Sequence, residues 1–69
     1  MIYKGYEGSF SYDEDLDLFE GSISNIKTLI IFKGKSVDST IVAFKDSINE
    51  YLEWCKITGR DPEKPSSEL

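Results

Sequence analysis

From Tyr6 to Tyr12 the chain alternates, with Tyr6, Gly8, Phe10 and Tyr12 on one face and Glu7, Ser9 and Ser11 on the other. A period of two is the mark of a half-buried antiparallel strand. Gly5, just ahead of this stretch, and Gly8 within it predict a bulge or a close backbone approach under the packed helix. Asp13-Glu14-Asp15 breaks the alternation and reads as a turn, because an aspartate side chain bonds its own downstream backbone. Leu18 to Ile23 alternates again as a second strand, and Ser24-Asn25 is turn chemistry. The run Thr28-Leu29-Ile30-Ile31-Phe32 is apolar or β-branched throughout, which predicts a third strand shielded on both faces. Its second cover would come from another subunit. Lys33-Gly34-Lys35 is then expected to turn the chain out of the sheet.

The period next lengthens. Val37, Ile41, Phe44, Ile48, Tyr51, Leu52 and Cys55 recur at steps of three and four, forming the single stripe of a long amphipathic helix. Ser36 is placed to cap its start, Asp38 to complement its dipole and Gly59 to end it. Val42 falls opposite the stripe. Trp54 lies on its flank, where it either fills a dimer contact or caps the edge of the core. Two prolines in Arg60-Asp61-Pro62-Glu63-Lys64-Pro65 favour an extended path, with a loose serine-rich end. The expected fold is α+β: a three-stranded antiparallel sheet followed by one long amphipathic helix packed on it. Residues 1–61 make the domain and residues 62–69 an extended tail.

At 69 residues such a domain buries only roughly 60% of its unfolded surface, so it needs outside support from disulfides, a metal or oligomerisation. One cysteine and no histidine remove the first two, leaving a homodimer as the expected state. Thirteen acidic against eight basic residues give a net charge of −5. That charge repels nucleic-acid phosphates and suits a basic protein partner, although it also serves plain solubility. The chain has no apolar run of membrane-spanning length and opens with no charged-then-apolar leader, and its lone thiol suits a reducing compartment. A cytoplasmic location is expected.

Candidate chemistry is sparse. With Asp13 as the first position of a calcium loop, Leu18 stands where glycine is needed and Ser24 where glutamate is needed. Carboxylates crowded into one exposed turn have neither the fixed separation nor the contrasting environments of a catalytic pair. No histidine is present to activate serine or cysteine, and Cys55 lies on the apolar stripe as a small core residue. No glycine-rich phosphate loop occurs. Neither an enzyme nor a cofactor is expected. Asp13, Glu14, Asp15 and Asp17 remain either a solvated turn or a docking site for a basic partner.

Ordered motifs add a resemblance. They are Tyr3-Lys4-Gly5-Tyr6-Glu7-Gly8-Ser9, Ile30-Ile31-Phe32-Lys33-Gly34-Lys35-Ser36-Val37, Ala43-Phe44, Ser47-Ile48, Tyr51-Leu52-Glu53-Trp54-Cys55 and Gly59-Arg60-Asp61-Pro62-Glu63-Lys64-Pro65. In this order and spacing the chain resembles the N-terminal domain of the HicB antitoxin family. Asn25 and Thr28 depart from the family's usual glycine and aspartate, and Trp54 replaces a more usual phenylalanine. The resemblance implies a partial ribonuclease-H-like fold without catalytic residues. It also implies a partner of HicA type, a small basic toxin that cleaves messenger RNA and is masked by the antitoxin, commonly as a dimer or larger. The family's DNA-binding module is not matched, so operator binding is not expected. The alternative function is an orphan HicB-like dimeric protein-interaction domain with no cognate toxin.

Overall fold

The computed structural model describes residues 1–64. Strands β1 (Ile2–Tyr3), β2 (Tyr6–Asp13), β3 (Leu18–Ile23) and β4 (Ile31–Gly34) form one antiparallel sheet in chain order, followed by the helix α1 (Val37–Thr58). The α+β class is as expected, but the sheet has four strands rather than three. The added strand is β1, joined to β2 by the two residues Lys4 and Gly5, with Tyr3 opposite Tyr6. Both turn residues are left-handed, at φ 53° and 86°. That pair of conformations gives a two-residue hairpin the twist its strands need. Gly5 therefore serves a turn and not a bulge, and a two-residue strand is too short to show any alternation.

The last strand also differs from expectation. It spans Ile31–Gly34 instead of residues 28–32, and Lys33 and Gly34 pair with Glu20 and Phe19 in the ladder rather than leaving the sheet. Within the single chain it is shielded on one face. Phe32 is buried under the helix, while Leu29 and Ile31 are 77% and 49% exposed. The expected second cover, from another subunit, would lie over Leu29 and Ile31.

The register sets Gly8 opposite Ile23, and Gly21 opposite Phe32, on the helix side of the sheet. Phe44 lies over this patch with its ring centroid 5.3 Å from that of Phe32. A Cβ on Gly8 would sit 2.5 Å from the Phe44 ring, so the close approach expected at this glycine is present. Tyr6, Ile23, Phe32, Phe44 and Ile48 form the buried cluster, and Cys55 is buried further along the helix.

Both helix ends are capped as the sequence indicates. The Ser39 N–H donates to the Ser36 hydroxyl at 3.1 Å and the Ser36 N–H to the Ser39 hydroxyl at 3.0 Å, a reciprocal cap. At the other end Gly59 is left-handed, its N–H donating to the Lys56 carbonyl and that of Arg60 to the Cys55 carbonyl. The stripe itself shifts at its start: Thr40 is fully buried and Val37 is 47% exposed. Thr40 tolerates burial because its hydroxyl donates to the Ser36 carbonyl at 2.6 Å. It packs where Gly34 has no side chain, leaving Val37 beyond the sheet.

Gly8→Ala is expected to lower stability by about 1–3 kcal/mol through overpacking against Phe44, read as a lower urea midpoint. Val42→Ala on the exposed side of the helix should stay within about 0.5 kcal/mol of the parent.

Candidate functional site

The β2–β3 hairpin carries the four acids singled out by the sequence, and it divides them into two kinds. Asp13 closes the ladder opposite Leu18, and its carboxylate accepts the N–H of Asp15 at 2.9 Å and of Leu16 at 3.3 Å. This is the side-chain turn for which aspartate is favoured. Asp17 takes a left-handed conformation at φ 55° and accepts the Tyr12 hydroxyl. That bond to a carboxylate pushes the Tyr12 phenol above its ordinary range. Asp13 and Asp17 thus build the hairpin, whereas Glu14 and Asp15 stand exposed at its tip beside Leu16, which is 52% exposed.

Two further clusters tie the strands to the helix. Asn49 accepts Lys4 Nζ at 2.9 Å and the Tyr3 hydroxyl at 3.3 Å, and the Lys4 and Lys45 ammonium groups lie 5.3 and 5.8 Å from the Tyr3 ring centre. These groups hold the β1–β2 turn against α1. The second cluster centres on Glu63, a residue that sequence reasoning did not single out. Its carboxylate accepts the N–H of Lys27, the N–H of Thr28 at 3.1 Å and the Thr28 hydroxyl at 2.7 Å. Its own N–H donates to the Tyr51 hydroxyl at 2.9 Å, and its carbonyl accepts the Tyr6 hydroxyl at 2.8 Å. The expected tail at residues 62–69 therefore begins as a bound segment, and residues 65–69 lie outside the described residues.

Thr28, Tyr51, Trp54, Cys55, Arg60 and Glu63 face a groove of about 560 Å³ with Asp61. Trp54 is 49% exposed on its rim, and the Arg60 guanidinium lies 5.4 Å from its ring centre. Arg60 thus occupies part of the surface of the one residue that the sequence offered as a dimer contact. Among the described residues no three His, Cys, Asp or Glu side chains converge as metal ligands would, and no helix is long and apolar enough to cross a membrane.

No family model, curated protein or solved structure matches this chain.

The donors on Glu63, first the Lys27 N–H and then the Thr28 hydroxyl, hold its carboxyl below the ordinary carboxylate range. A depressed carboxyl stabilises the fold above its unfolded value, and that contribution is lost as pH falls through the depressed one. Glu63→Gln should therefore lower the melting temperature near neutrality, and the gap to the parent should close in acid. Melting curves across pH check this.

Proposed function

We propose that this chain is a HicB-like antitoxin, a cytoplasmic homodimer that binds and masks a small basic, messenger-RNA-cleaving toxin of HicA type. In this reading its sheet and helix are a partial ribonuclease-H-like fold, and it inhibits by occlusion without chemistry of its own. The motifs behind the resemblance coincide with fold determinants: the Lys4-Gly5 turn, β4 running into the Ser36 cap, and the helix stripe closed by Gly59. They support the fold. The functional half rests on one observation, the presentation of Glu14 and Asp15 at the tip of a hairpin whose shape is fixed by Asp13 and Asp17.

A fixed pair of solvated carboxylates suits a basic surface, because charges at an interface rim speed encounter and disfavour wrong partners. The same acids repel RNA, so the masked surface would be closed to substrate by bulk and by charge together.

The test is cleavage of RNA by the product of the adjacent small reading frame, titrated with this chain. Loss of cleavage at a fixed stoichiometry supports masking. Cleavage that persists at saturation rejects it in favour of an interaction domain without a toxin. Glu14→Lys combined with Asp15→Lys should slow association on the order of tenfold at low salt, with less effect as salt rises. The fold should be unchanged, because neither side chain builds the turn. Stopped-flow binding at two ionic strengths, with circular dichroism as control, reads this.

A further inference from the structure

The segment that leaves α1 is tied down at one residue. Gly59 ends the helix and the Arg60 N–H donates to the Cys55 carbonyl at 2.8 Å, so the cap is complete before Asp61. Pro62 has no N–H to give, and Asp61, Pro62 and Lys64 are exposed. Among the described residues, all five hydrogen bonds from residues 61–64 to the rest of the chain belong to Glu63. Its carboxylate reaches Lys27 and Thr28, and its backbone reaches Tyr6 and Tyr51.

Neither the sheet nor the helix depends on this segment. The ladders run within β1 to β4, and the buried cluster takes no side chain from residues 61–64. Once Glu63 lets go, the loop donors and both tyrosine hydroxyls turn to water, so no polar group is left buried and unpaired. The residue that such a release uncovers is Cys55. It is 2% exposed and faces the same groove as Glu63, Tyr51 and Thr28. Burial first, then the adjoining Tyr51, Cys55 and Glu63 groups, raises the Tyr6 phenol, so these four side chains meet at one place.

We propose that residues 61–64 form a strap, latched by Glu63, that opens while the sheet and helix stay folded and so controls access to the Cys55 thiol. Closed, Cys55 is a silent core residue. Open, its sulfur meets solvent. A fastening that rests on one residue favours local opening, which costs less than unfolding the whole domain. Arg60 stays behind when the strap opens, because its N–H belongs to the helix cap and its guanidinium lies over Trp54. The strap goes beyond the masking reading and works with or without a partner.

The experiment is labelling of Cys55 by iodoacetamide in the full chain, with reagent dilute enough that the rate follows the population of the open form. Amide hydrogen exchange at Phe44 and Ile48 reports on the helix in the same samples. Glu63→Ala should label at least about tenfold faster than the parent, with both helix amides protected as in the parent. Thr28→Val removes one donor from the latch and should fall between the two. Gly8→Ala weakens the core but not the latch, and should label at the parent rate. Equal rates for the parent and Glu63→Ala overturn the strap. So does faster labelling of Glu63→Ala that comes with loss of helix-amide protection, or a Gly8→Ala rate raised as far as that of Glu63→Ala. Each of these means that the thiol is reached only by unfolding. A parent thiol that reacts as fast as in the urea-unfolded chain overturns it too, because nothing then shields the sulfur.

Discussion

Everything in this domain leans on the contact between Phe44 and the strip of sheet made by Gly8 and Phe32. Five residues make up the buried cluster, so a single helix-to-sheet contact carries a large share of the apolar burial. A side chain at Gly8 would lift the helix, and a lifted helix would uncover Ile48 and Ile23 together. The caps at Ser36 and Gly59 matter for the same reason. They fix where α1 begins and ends, and so which of its side chains arrive over the glycine.

The strong local periods were legible in the sequence. Alternation located β2 and β3, and the three-and-four spacing with its serine and glycine ends located α1 almost to the residue. The failures have physical causes. β1 is too short to carry a period, and the residues of its turn reveal themselves only through their left-handed backbone. The bounds of β4 differ because the apolar run begins ahead of the ladder and the ladder continues through Lys33 and Gly34, which composition does not reveal. Thr40 was missed because a polar residue breaks the apolar stripe unless its hydroxyl already has a local partner.

The candidate site was half legible. Charge and turn chemistry pointed to the acids of the β2–β3 hairpin, but not to their division of labour. In the structure the same residue type does two jobs within five positions, since Asp13 bends the backbone and Asp15 faces water. Glu63 lay beyond reach, because no local pattern links a carboxylate to backbone donors thirty-five residues away. Charge is also segregated along the chain. Asp13, Glu14, Asp15, Asp17 and Glu20 crowd the hairpin region, and residues 26–35 hold lysines only.

The Glu63 clasp orders events in time. A chain leaves the ribosome from its N-terminus, so every strand and the whole helix are made before the residue that bonds Lys27, Thr28, Tyr6 and Tyr51. Until then the N–H groups of Lys27 and Thr28, which lead into β4, lack their carboxylate, and the two tyrosine hydroxyls lack the backbone they later hold. The nascent domain can assemble its sheet and helix early, yet it is latched only by one of the last residues described.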